Sequence, residues 1–193
     1  MSTTRMFDAI NQPSRPDRVE IALRWFAKYS LLKYRRPDMK RKVAKAALSY
    51  LGSLPGTCNP CDIIKYARQL EALCVHELPH SADGNVRREP SLASKLLWCK
   101  YPDLVPIYDS HARRAIMVLS KLRNGLHEDN GTDYATFVRC WTVVYQDVEP
   151  LIAQLNRDRY PYHVRLFDKL LWILGKETYG PADPAPPFAV AAE

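Results

Sequence analysis

Residues 91–114, SLASKLLWCKYPDLVPIYDSHARR, concentrate side chains able to do covalent or acid–base chemistry. Asp109 follows the apolar run Leu104-Val105-Pro106-Ile107-Tyr108 and precedes a stretch with helical spacing. A carboxylate at that junction faces the positive end of the helix dipole and accepts backbone N–H bonds. Held so, it can stabilise a developing oxocarbenium ion or take a proton from an attacking amine or water. Aspartate is also among the best plain helix caps, and spacing alone does not separate the two roles. Lys95 lies one turn into the preceding helix, among Leu92, Ala93, Leu96, Leu97 and Trp98. An amine beside so apolar a face loses basicity by desolvation, and its neutral form can attack C1′ of a deoxyribose to give a Schiff base. A surface lysine on an amphipathic helix has the same sequence signature.

Helices must position these groups. The spacing predicts loose order over residues 1–15 and a first helix from Pro16 to Tyr34. Pro37 opens a second helix to Leu51, its missing N–H costing nothing at the first helical position. Leu54-Pro55-Gly56 is a break, and Asn59-Pro60 caps a third helix to Val75. Residues 76–90 are polar, contain Pro and Asp-Gly, and read as a loop or hinge. Ser91 is expected to cap a helix to Lys100, followed by an extended stretch, YPDLVPIY. Asp109 or Ser110 caps a helix to Gly125, Thr132 caps a long helix with a kink at Pro150, and a last helix runs from Pro161 to Leu174. Gly175 is placed to stop it in the left-handed conformation. The Pro/Ala-rich residues 180–193 read as a disordered tail.

Composition agrees with an all-α globular protein: 47% of the 193 residues are hydrophobic, 25% are charged, only seven are glycine, and no segment alternates with period two. No apolar run approaches the roughly 20 residues that span a bilayer, and the N-terminus lacks a signal-peptide core, so a soluble cytoplasmic monomer is expected. Five cysteines suggest reduced thiols rather than a disulfide framework. Cys58-x₂-Cys61 with Cys74 and His76 has the residue types of a zinc site. Cys74 falls at the far end of the helix that begins at Cys61, however, and no metal or other cofactor is expected. The net charge of +7 is uneven: residues 1–57 hold 12 Lys/Arg against 4 Asp/Glu, and residues 58–193 hold 16 against 17. The excess is densest at Lys33, Arg35, Arg36, Lys40, Arg41, Lys42 and Lys45, a phosphate footprint or a solvated helix face. Arg165, Asp168 and Trp172 share one helical face, read as an ion pair over a core tryptophan that buttresses the Asp109 loop.

The string VPIYDSHARR resembles the V-P-V-D-T-H-V-x-R stretch of helix-hairpin-helix DNA glycosylases, the endonuclease III and 8-oxoguanine glycosylase superfamily. Asp109-Ser110-His111 matches the D-T-H triplet with Ser for Thr, Arg114 follows, and Lys95 in SLASKLL stands where bifunctional members carry their nucleophilic lysine. The S-K-L-L…P-I-Y-D-S pattern is similar to small prokaryotic 8-oxoguanine-glycosylase-like proteins, and YHVRLFDKLLW at residues 162–172 resembles a later part of the same family. The hairpin itself is replaced by NVRREPSLAS, and no cysteine cluster follows Asp109, so no iron–sulfur cluster is implied. The resemblance implies a two-lobed helical fold with a central cleft: a basic lobe over residues 1–76 and a catalytic lobe over 77–179. Its implied partner is double-stranded DNA carrying a modified base, flipped out for excision. Asp109 and Lys95 would be catalytic. Ser91, Ser94, Ser110, His111, Arg113, Arg114, Arg87, Arg88, Lys40, Arg41 and Lys42 would meet DNA, and Tyr108, Tyr101, Trp98 and Tyr29 would line the base pocket. Modified cytosine of phage genomes and oxidised guanine are both admitted as the target. A non-catalytic DNA-binding module is the alternative.

Overall fold

Apolar residues recurring every three or four positions make this chain helical from its start. The computed structural model describes residues 3–33, 35–78, 89–124, 133–155, 158 and 160–179. Among them are eight α-helices and no strand: α1 (Thr3–Asn11), α2 (Arg18–Lys28), α3 (Pro37–Ser53), α4 (Ile63–His76), α5 (Pro90–Trp98), α6 (Ser110–Asn124), α7 (Tyr134–Ile152) and α8 (His163–Tyr179). A single 3₁₀ turn, Pro60–Asp62, precedes α4, and the Asn59 side chain accepts the Cys61 N–H there. No described helix is long and apolar enough to cross a membrane.

The chain divides into two compact units. The first comprises Met1–Tyr108 with Asp133–Ala135, and the second Asp109–Thr132 with Thr136–Glu193. The division thus falls after Tyr108 and not at 76/77, and it puts Lys95 in the first unit and Asp109 in the second.

In the first unit α1 packs on α2 and α3, α2 on α3, α3 on α4, and α4 on α5. Residues 3–11 are therefore a helix, with Met6, Ala9 and Ile10 fully buried, where loose order was expected. The helix expected over Pro16 to Tyr34 ends at Lys28. Leu31 N donates to Phe26 O at 2.8 Å and Ser30 N to Ala27 O at 3.1 Å, the paired bonds of a Schellman motif. Ser30 takes the left-handed place usually held by glycine, with φ 53°, and Leu32 is left-handed too, with φ 54°. α5 begins at Pro90 with Glu89 as its cap residue, so Ser91 lies inside the first turn. The stretch after it is irregular and forms no strand.

In the second unit α6 packs along α8. Trp141 of α7 stacks on Tyr145 and meets Phe167 of α8 edge-on at 5.1 Å. Its indole N–H donates to the Asp168 carboxylate at 2.9 Å in a buried bond. Trp172, expected in the core, is 38% exposed. Pro150 lies in the last turn of α7, and the helix end expected at Gly125 and the cap expected at Thr132 fall outside the described residues, as does the tail.

Gly175 does not stop α8, which continues to Tyr179. A Cβ placed on Gly175 would collide with the backbone carbonyl of His111, whose carbon would be 2.7 Å away. The glycine is there for close approach of two backbones. Gly175→Ala is expected to destabilise by about 1–2 kcal/mol net, because an overpacking cost at the upper end of the usual range of about 1–3 kcal/mol meets backbone that cannot yield. The gain of about 1 kcal/mol in helix propensity offsets only part of it. Gly56→Ala, with nothing within 4 Å of the new methyl, is expected to be near neutral. Denaturant unfolding of both variants checks the pair, and equal stability would remove the close-approach account.

Candidate active site

Asp109 sits where an irregular apolar strap becomes α6. Its Oδ1 accepts the His111 N–H at 3.0 Å, and its carbonyl accepts the Arg113 N–H at 2.8 Å. The carboxylate is half-buried and fixed by the first turn of α6, as a capping aspartate should be. The His111 ring packs edge-on against Trp172 at 5.5 Å, and Lys176 lies over the same indole at 5.1 Å. The Asp168 face of α8 thus supports the turn carrying Asp109, through Trp172 and the close contact at Gly175. His111 Nδ1 is buried and meets no hydrogen-bond partner among the described residues. Ser110 is exposed, and Arg113 and Arg114 are half-buried on the same helix.

The first unit holds Lys95. Its Nζ donates to the Ser91 hydroxyl at 2.9 Å, one turn back along α5. Both side chains line a cavity of about 280 Å³ walled by residues 29–33 and 35 and by the start of α5, with Tyr29, Lys33 and Arg35 among its lining. Sequence reasoning placed Tyr29 and Lys95 in functional roles but did not join them, and it read Lys33 and Arg35 only as members of a charge cluster. The positive-φ serine and leucine that shape this wall carry no sequence signal, since neither is glycine.

Three expected contacts are corrected by burial. Ser94 is 0% exposed. Its hydroxyl donates to Ser91 O at 3.3 Å and accepts the Tyr108 N–H at 3.0 Å, so it ties the 105–108 strap to α5 and does not meet DNA. Trp98 is 5% and Tyr101 4% exposed, both in the core and not in a base pocket. The Tyr101 hydroxyl donates to Pro55 O at 2.6 Å, and its ring stacks on Tyr66. Tyr108 is half-buried, edge-on to Tyr134, whose hydroxyl donates to Pro106 O at 2.8 Å. On α3, Arg41 pairs with Glu20 at 2.6 Å in an exposed bridge, Lys42 is exposed and Lys40 half-exposed. Arg87 and Arg88 lie outside the described residues.

Among the described residues no group of three or more His, Cys, Asp or Glu is placed to hold a metal ion. Cys61 is exposed and Cys58 half-buried, while Cys74 is buried and its thiol is pushed up to about 12 by desolvation. No family model, curated protein or solved structure matches the chain.

Burial also raises the Tyr101 phenol from its ordinary 10.0 to about 12, and Tyr50 likewise. Below pH 10 both states keep the proton. Between 10 and 12 the unfolded chain loses it and the fold does not, so stability falls as pH rises through that window. Tyr101→Phe is expected to shallow this alkaline decline while lowering stability at neutral pH, because Pro55 O loses its donor. Urea midpoints from pH 8 to 11 check it, and an unchanged slope would show that the phenol titrates freely.

Proposed function

We propose that this chain is a DNA glycosylase that excises a modified or damaged base, acting on one flipped-out nucleotide. The observation that carries the reading is the Asp109 carboxylate, fixed by the His111 amide at the opening of α6 within the D-S-H-x-x-R string. In base release the C1′–N bond breaks and its electron pair leaves with the base, which gains a proton. Positive charge develops on the sugar, and a preorganised carboxylate stabilises it without reorganising. Water or the Lys95 amine then bonds to C1′. The exposed cations of α3 and those of α6 supply charge for DNA phosphates.

Modified cytosine in phage DNA is the target we favour, which makes the role one of defence; oxidised guanine, and hence repair, is the other. The non-catalytic reading draws on the same bond, since a plain cap makes it too, and the Asn variant separates the two. Asp109→Asn keeps the cap, because Asn serves there about as well as Asp. It is expected to lower base release by about 10²-fold or more while leaving thermal unfolding and DNA affinity near wild type. The assay scores abasic sites in phage DNA with modified bases and in oligonucleotides bearing single lesions. Full activity in the variant would reduce Asp109 to a cap.

Lys95 is tested separately. If its amine attacks C1′, the intermediate is an imine, borohydride traps a protein–DNA adduct, and Lys95→Gln abolishes the adduct. Base release that persists in Lys95→Gln with only weakened binding would make the lysine a phosphate ligand and water the nucleophile.

A further inference from the structure

We propose that the cavity of the first unit binds a phosphomonoester, the terminal phosphate of a nucleotide, with Lys33, Arg35, Lys95 and Ser91 as its ligands. Three cations and one carboxylate, that of Glu89, line the cavity, a formal excess of two positive charges. A phosphomonoester carries about −1.5 to −2 at neutral pH, which matches that excess. A phosphodiester inside a strand carries one charge and leaves the site half-compensated. The donors are of the kinds that bind such a group: Arg35 offers a planar fork, the lysines point charges, and Ser91 a hydroxyl already held at 2.9 Å from the Lys95 ammonium.

Size and lining extend the assignment from phosphate to nucleotide. A volume of about 280 Å³ is many times the roughly 30 Å³ of a water molecule, and it approaches the lower end of ligand pockets, about 300 Å³. Tyr29 and Leu92 give the same cavity an aromatic and an aliphatic wall, which inorganic phosphate would leave unused. The wall is also shaped before any ligand arrives. The Schellman bonds at 2.8 and 3.1 Å fix the chain at Ser30, and buried Leu31 and Leu32 anchor it just before and at the second left-handed position. The site lies wholly in the first unit, whereas Asp109 belongs to the second; it takes Lys95 as a phosphate ligand, which leaves water as the nucleophile of the proposed base release, and it stands whether or not the protein releases bases.

Two sources present this group: a free mononucleotide, and the 5′-phosphorylated end of a DNA strand. Calorimetry on the full chain compares deoxycytidine 5′-monophosphate, deoxycytidine and inorganic phosphate. Fluorescence anisotropy compares a single-stranded 12-mer with and without a 5′-phosphate. A monophosphate bound one-to-one and at least tenfold more tightly than the nucleoside supports a free nucleotide. A tenfold preference seen only with the phosphorylated 12-mer supports the strand end. In either case the Lys33→Gln/Arg35→Gln double variant is expected to lose at least tenfold of that preference with unchanged circular dichroism and unfolding midpoint. The proposal is overturned if neither phosphorylated probe is preferred over its unphosphorylated partner, or if the double variant keeps the preference. Neither result bears on abasic-site formation, so the failure of this site and the failure of the glycosylase reading are distinguishable.

Discussion

Gly175 lets two backbones touch. The lack of a side chain allows α8 to lie against the carbonyl of His111, two residues from the capping carboxylate of Asp109. The first turn of a helix is ordinarily its least constrained part, because its amides lack intrahelical partners. Here it is held at three points: the Asp109 cap, the backbone of α8, and the Trp172 ring against His111. The buried Trp141–Asp168 bond secures α8 to α7 on the inner side. A carboxylate kept in place by packing that extends through three helices has the fixed geometry that electrostatic catalysis requires.

The first unit solves a comparable problem with a hydroxyl. Ser94 is buried within α5 and spans two backbones, accepting from Tyr108 and donating to Ser91. A side chain of one oxygen satisfies an amide that irregular backbone would otherwise leave without a partner, and burial makes the omission costly. Tyr101 and Tyr134 do the same for Pro55 and Pro106, whose carbonyls have no ladder to join. The polar residues of the strap and its neighbours are thus mostly devoted to closing the backbone, which removes several of them from contact with a ligand.

Most helices could be read from the sequence because their signals are local. The period of three to four, Pro37 at the head of α3 and Asn59-Pro60 before α4 each act within a few residues. The mistaken positions depend on distant partners. A glycine that ends a helix and one that admits a neighbouring backbone look alike until the neighbour is known, and Gly175 is the second kind. α1 is short and gains its order from α2 and α3, so its own pattern says little. Ser94, Trp98 and Tyr101 read as available because polar and amphipathic side chains favour surfaces, yet α5 is covered on nearly every side and Tyr101, just after it, is buried too. The Asp109 cap was legible from type and position. The cavity was not, since its wall is shaped by left-handed Ser30 and Leu32 and gathers residues from segments about 60 positions apart.

The left-handed serine after α2 has a consequence for rate as well as shape. A glycine there would adopt the same backbone freely but would also sample many others, and any ligand contacting the segment would have to arrest that motion on arrival. Serine has fewer alternatives, and the turn is already closed by its own hydrogen bonds. The cost of ordering the segment is therefore met once, during folding, and encounters with a ligand proceed on a surface that is already in its final form.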